Sequence, residues 1–190
     1  MKLRREIEIK LRVRERGELK RRLKELGFRR ITPRLYEQNS LFDFADRRLL
    51  HHRQALRLRT SGGLHFITFK GSPSTEGGYK SRDEIETSLG STSELRRILT
   101  RLGMTEVLRY NKFRTTYLPA GLRKQAGAAH PFLVFDETSA GDFIELEGSR
   151  SWIDRVASQL GYGPESYITE SYVTMLGAAR GVRGKRGEKT

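Results

Sequence analysis

The stretch Glu6-Ile7-Glu8-Ile9-Lys10-Leu11-Arg12-Val13-Arg14 decides how the chain folds. Apolar and ionised residues alternate through it without a break. Successive side chains of an extended strand point to opposite faces, so one face here is wholly apolar and the other wholly charged. The alternation returns at Ala55-Leu56-Arg57-Leu58-Arg59 and over residues 65–70, 82–86, 112–117, 132–136 and 142–147. Gly- or Ser-rich breaks separate several of these runs: Ser61-Gly62-Gly63, Gly71-Ser72-Pro73 with Gly77-Gly78, and Ser139-Ala140-Gly141. The last predicts a hairpin between residues 133–136 and 143–147.

Three helices punctuate the strands. Residues 18–26 place Leu19, Leu23 and Leu26 on one stripe, residues 94–102 do so with Leu95, Ile98, Leu99 and Leu102, and residues 152–160 with Ile153, Val156, Ala157 and Leu160. Ser91 and Glu94 have capping-box spacing. Each helix ends in Leu-Gly, the glycine supplying a left-handed cap. Each also follows a strand with a Glu-x-Glu pair: Glu6 and Glu8, Glu84 and Glu86, Glu145 and Glu147. The pattern predicts one α+β domain over residues 1–176, with about eight antiparallel strands, closed or nearly closed, and helices packed outside.

The 190 residues suffice for one medium domain with its own core. The absence of cysteine excludes disulfides and thiolate metal sites. No run approaches the ~20 apolar residues of a membrane-spanning helix, and the first residues lack the apolar region of a secretory signal, so a cytoplasmic protein is expected. The net charge is +14. Residues 177–190, GAARGVRGKRGEKT, carry five of the basic residues and one acid without apolar periodicity, and read as a disordered basic tail.

Charged strand faces ordinarily meet water. Here those faces are almost purely ionic, with carboxylates concentrated in some strands and Arg or Lys in others. The alternative turns the charged faces into an enclosed lumen whose apolar outer wall is covered by the helices. Cations enclosed in this way need opposing acids, water and a highly charged ligand, because burying an isolated ion costs several kcal/mol. A triphosphate suits Arg forks and Lys point charges, and divalent metals would join it to the carboxylates.

Glu6-Ile-Glu8-Ile-Lys10 resembles the Glu-x-Glu-x-Lys signature of the CYTH superfamily, the triphosphate tunnel metalloenzymes. Arg57-Leu-Arg59, Thr68-Phe-Lys70-Gly71, Arg82-Asp-Glu84, Lys112-Phe-Arg114 with Tyr117, Asp136, Gly141 to Glu147 and Ser171-Tyr172 follow in that family's order. The resemblance implies an eight-stranded tunnel barrel in which Lys10, Arg57, Arg59, Lys70, Arg82, Lys112 and Arg114 grip the triphosphate. By the same resemblance Glu6, Glu8, Asp136, Glu145 and Glu147, with Glu84, hold Mg²⁺ or Mn²⁺, and Lys70 and Lys112 are catalytic. Residues 38–59 and 80–84 look most like the class IV adenylate cyclase (CyaB-type) branch, which converts ATP to cyclic AMP and pyrophosphate. Asn39, where that branch has an acid, and His51-His52 depart from it, in what reads as a connecting segment.

The alternative reaction is triphosphatase hydrolysis of tripolyphosphate, a nucleoside triphosphate or thiamine triphosphate. A non-catalytic polyphosphate or nucleic-acid binding module is a third reading. Rows of acidic pairs speak against nucleic acid, since they repel phosphate unless metals intervene. The four histidines, His51, His52, His65 and His130, have no ligand spacing and read as surface or loop residues. A membrane partner is not expected, and a homodimer is left open. Removing residues 177–190 should leave turnover and melting temperature unaltered in a direct comparison with the full chain.

Overall fold

In the computed structural model, which describes residues 4–122, 130–172 and 174–175, eight antiparallel strands close into a barrel. The strands are β1 (Arg4–Arg12), β2 (Phe28–Phe44), β3 (Ala55–Ser61), β4 (Leu64–Lys70), β5 (Lys80–Leu89), β6 (Met104–Pro119), β7 (Phe132–Thr138) and β8 (Gly141–Glu147). Their order around the barrel is β1-β5-β4-β3-β2-β6-β7-β8, with β8 returning to β1. The helices are α1 (Arg16–Glu25), α2 (Arg48–His51), α3 (Thr92–Arg101) and α4 (Arg150–Gln159). The expected hairpin forms between β7 and β8, with Phe132 opposite Glu147 and Thr138 opposite Gly141. The predicted basic tail at 177–190 lies outside the described residues.

The alternation works as anticipated, with the apolar side outward. Ile9 and Leu11 of β1 are fully buried in a layer shared with Leu133 and Phe135 of β7, Ile144 and Leu146 of β8, Leu19 and Leu23 of α1, and Trp152, Ile153 and Val156 of α4. A second apolar layer joins Leu99 of α3 to Phe42, Leu58 and Met104. The helices thus cover the outer wall, and the barrel's main core lies outside its lumen. Each fully buried Leu or Ile contributes about 1.5–3 kcal/mol relative to exposure.

The helix ends follow the sequence signals at Ser91 and the Leu-Gly pairs: Ser91 Oγ accepts the Glu94 amide of α3, while the caps at Glu15 of α1 and at Ser149, whose Oγ accepts the Trp152 amide of α4, emerge from the structure. Gly27, Gly103 and Gly161 sit at φ 74°, 82° and 83°, the left-handed region in which a side chain would be strained. Each long helix starts three residues before the first residue of its apolar stripe, because the cap and first turn precede the first packed side chain. On α3 only Leu95 and Leu99 face the wall, whereas Ile98 and Leu102 are exposed.

The segment read as a connection is partly strand. β2 runs for 17 residues, and Asn39 lies in its middle, opposite Arg59 of β3 and Tyr110 of β6. Its alternation is hard to recognise because the register with β6 shifts between Arg30 and Thr32, Thr32 and Leu35, and Leu41 and Phe42. Each shift moves the pattern out of phase. The short helix α2 carries His51, and Asp43 accepts its Leu49 and Leu50 amides.

Ile153→Ala should lower unfolding free energy by about 2–5 kcal/mol, because Ile153 is fully buried where α4 meets the barrel and its loss leaves a cavity. Denaturant unfolding of the variant measures this.

Candidate active site

The inward residues of the strands line a cavity of about 1510 Å³. Glu6, Glu8 and Lys10 come from β1, Arg57 and Arg59 from β3, Lys70 from β4, and Arg82 and Glu84 from β5. Lys112 and Arg114 come from β6, and Glu145 and Glu147 from β8. Asp136 of β7 is fully buried against Lys112 and Arg114. Twelve of the thirteen residues singled out in the sequence therefore line one lumen, because each shares the inward parity of its strand, and Asp136 stands behind that wall as the partner of Lys112 and Arg114.

Three ionic groups make up the wall. In the first, Asp136 accepts from Lys112 Nζ at 2.9 Å, from Arg114 at 2.5 and 2.6 Å, and from the Tyr172 hydroxyl at 2.9 Å. Arg114 also reaches Glu145 at 2.5 Å, and Lys10 Nζ lies 3.1 Å from Glu145. The Tyr172 ring lies under both lysines, 4.2 Å from Lys10 Nζ and 4.9 Å from Lys112 Nζ. In the second group Lys70 binds Glu84 at 2.6 Å and lies 3.6 Å from Glu6. There Lys80 binds Glu8 at 2.8 Å, and Arg82 lies 3.6 Å from Glu6 and 3.7 Å from Glu8. In the third, Arg57 contacts Thr68 at 3.2 Å and Glu86 at 3.4 Å, while Arg59 binds Glu86 at 2.9 Å.

These neighbours set the protonation. Burial would raise the Asp136 and Glu145 carboxyls, but Arg114 with Lys112, and Lys10 with Arg114, outweigh it and hold both below the ordinary range. Burial also depresses Lys112, and the neighbouring Arg114 adds to the effect. Lys10 moves the other way, because Glu145 and Glu8 overcome its desolvation. Burial raises the Tyr172 hydroxyl, and the carboxylates Glu145 and Asp136 push it further, so it stays a donor.

The structure adds lumen residues that sequence reasoning missed: Glu37 of β2, Lys80 of β5, and Glu86 as a partner of Arg57 and Arg59. Lys80 stands two residues before Arg82, so its parity was readable. Glu37 was not, because β2 was not recognised as a strand over its length. With these three, the residues named so far comprise eight cations (Lys10, Arg57, Arg59, Lys70, Lys80, Arg82, Lys112, Arg114) and eight carboxylates (Glu6, Glu8, Glu37, Glu84, Glu86, Asp136, Glu145, Glu147), and Arg47, Arg53, Asp43 and Glu170 add two of each sign to the cavity lining. The lumen cations are thus offset by resident acids before any ligand arrives. The +14 of the chain comes from residues other than these sixteen.

Of the remaining candidates, Tyr172 lies in the lumen, while Tyr117 packs against the outer apolar layer. His51 and His52 are exposed, and His65 pairs with Thr60 on the sheet. His130, read as a surface or loop residue, lines the cavity mouth with its Nε2 buried and without a hydrogen-bond partner among the described residues.

The donor set suits a hard divalent cation, since it consists of carboxylate oxygens. Glu6 Oε2 is buried with no hydrogen-bond partner among the described residues, which leaves it coordination capacity. Among the described residues no three acidic or histidine side chains already converge as a metal site. The carboxylates are spread along the wall and engaged by Lys and Arg, so further oxygen ligands would have to come from a guest or from water.

The CYTH domain pattern matches residues 4–172, and the chain belongs to that family, which is in general one of metal-dependent triphosphate tunnel proteins. A Methanocaldococcus jannaschii protein, provisionally named an adenylate cyclase, is 29% identical over 182 residues, spanning 90% of this chain and 98% of its own. A solved structure from Vibrio parahaemolyticus, with a similar provisional name, has a TM-score of 0.78 at 17% identity and covers 93% of this chain and 99% of its own. That of the Hippeastrum protein HpAC1, described as a provisional adenylyl cyclase with dominant triphosphatase activity, has a TM-score of 0.64 at 18% identity over 92% and 96%. The structural likenesses show a shared fold. No helix among the described residues is long and apolar enough to cross a membrane.

Burial would raise the Glu84 carboxyl, but the cations Lys70 and Arg57 lower it from 4.5 to about 2. A carboxylate depressed in the folded state stabilises the fold above its unfolded pKa and loses that contribution as pH falls through the folded value. Stability should therefore decline between about pH 4.5 and pH 2. Glu84→Gln should flatten that part of an acid-unfolding curve relative to the parent chain.

Proposed function

We propose that this CYTH protein is a divalent-metal-dependent enzyme that encloses a triphosphate in its barrel, and that its reaction is adenylate cyclase-like. The observation that carries the reading is the lumen wall itself, where cations and carboxylates alternate around one cavity. A polyanion alone would upset the balance of eight and eight. A triphosphate, with about four negative charges, would keep it if accompanied by divalent cations, for which the wall carboxylates would supply oxygen ligands.

In this reading Lys10, Arg57, Arg59, Lys70, Arg82, Lys112 and Arg114 bind and orient the phosphates. Glu6, Glu8, Asp136, Glu145 and Glu147, with Glu84, would hold Mg²⁺ or Mn²⁺. The metal, when bound, polarises phosphoryl oxygens and lowers the pKa of a coordinated hydroxyl. Lys70 and Lys112 supply fixed positive charge where negative charge develops in the transition state. Lys112 is held for that role by Asp136 at 2.9 Å.

For ATP, the ribose 3′-oxygen attacks the α-phosphorus, gives its proton to water, and displaces pyrophosphate as the bond from the α-phosphorus to the bridging oxygen breaks, leaving cyclic AMP. The name of the M. jannaschii relative supports this reaction. So does the apolar lining contributed by Leu35, Leu64, Phe66 and Phe132, which offers contacts to an organic group that tripolyphosphate lacks. The second reading is hydrolysis, in which water attacks a terminal phosphorus, and the activity described for HpAC1 favours it. The proposed location of the protein is the cytoplasm.

Incubation with ATP, tripolyphosphate and thiamine triphosphate under Mg²⁺ and Mn²⁺, with product identification, separates the two. Cyclic AMP with pyrophosphate supports the cyclase, and orthophosphate release supports the hydrolase. Turnover of none of the three, or turnover that persists in a chelator, overturns the proposal. Lys112→Met should lower kcat by about 100-fold, and Glu8→Gln should abolish the metal-dependent part; unchanged steady-state rates would remove these residues from the site.

A further inference from the structure

Glu37 stands apart from the other lumen acids. It is 3% exposed, on the inward face of β2 beside Lys112 of β6. Its Oε2 has no hydrogen-bond partner among the described residues. Three cations surround it at longer range: Lys112 at 3.7 Å, Arg59 at 3.8 Å and Arg114 at 3.9 Å. All three have nearer acids elsewhere. Lys112 and Arg114 bind Asp136 at 2.9 and 2.5 Å, and Arg59 binds Glu86 at 2.9 Å.

A buried carboxylate oxygen lying outside hydrogen-bond range is expensive, since it has lost water without gaining a donor. Its field nevertheless offsets three clustered positive charges that would otherwise repel one another. Those charges are among the groups assigned above to the phosphates, so an incoming phosphoryl group competes with Glu37 for them.

We infer that Glu37 is the resident counter-anion of the phosphate-gripping wall, a positioning residue that keeps Arg59, Lys112 and Arg114 together in the free protein and yields them to the triphosphate. The inference rests on the proposed function, because it assumes that a triphosphate occupies this lumen. Loosely held, Glu37 can be supplanted by a guest of high charge. A guest of lower charge, such as orthophosphate, gains less over it, so the residue also sets a threshold that favours triphosphate binding and product release.

Calorimetric titration with inorganic tripolyphosphate, in a chelator and again with Mg²⁺, tests the competition. Glu37→Gln should lower the tripolyphosphate Kd by about tenfold, because a like charge has been removed from the site. The same variant should lower the melting temperature of the free protein, and saturating tripolyphosphate should narrow the gap to the parent chain. Glu37→Asp, which keeps the charge, should bind near the parent value. A Glu37→Gln Kd that is unchanged or weaker, in a variant with the parent's circular dichroism, overturns the inference alone, as does a loss of kcat with no change in Kd. Absence of binding by the parent chain under both conditions overturns the inference together with the proposed function.

Discussion

Ion pairing across the lumen wall is the constraint on which the rest of the structure depends. Eight cations and eight carboxylates occupy the inner faces of the strands, and such a set is tolerable in an enclosed space only if opposite signs lie side by side. Strand pairing achieves this. In register, Glu8 sits beside Lys80, Lys10 beside Glu145, Lys70 beside Glu84 and Arg114 beside Asp136. A slip of one residue would turn the charges of a strand into the apolar layer beneath the helices, so both faces enforce the same register.

This arrangement inverts the usual distribution of polarity in a barrel. The apolar material that stabilises the fold lies outside, between the wall and helices α1, α3 and α4. The lumen is thereby spared from being filled with side chains and can hold a cavity of about 1510 Å³. Stability and function occupy opposite faces of the same strands. A substitution on one face can therefore be read largely as a packing change, and one on the other as a change in charge balance.

The charge balance also shapes what the site can accept. A lumen rich in cations alone would bind any anion. A lumen in which nearly every cation has a close acid partner, such as Asp136 for Lys112 at 2.9 Å, favours guests that bring both negative charge and hard cations. The family's general character as metal-dependent triphosphate tunnels fits that physical expectation.

Much of this was legible in the residues. Period-two alternation determined the strands around Glu6, Arg57, Lys70, Glu84, Lys112, Asp136 and Glu145, and parity put their charged side chains on one face. Leu-Gly marked the C-terminal ends of α1, α3 and α4, and Ser91 marked the start of α3. Hydrophobic pattern alone is silent on which face a closed sheet turns inward, and only closure of β8 on β1 decided that the charges share a cavity. Tertiary structure alone also revealed β2, whose register shifts break its alternation, and with it the buried position of Glu37 among cations from β3 and β6. The physical reason is range: strand parity and helix caps are set by neighbours along the chain, whereas the pairing of charges is set by strands brought together from distant parts of it.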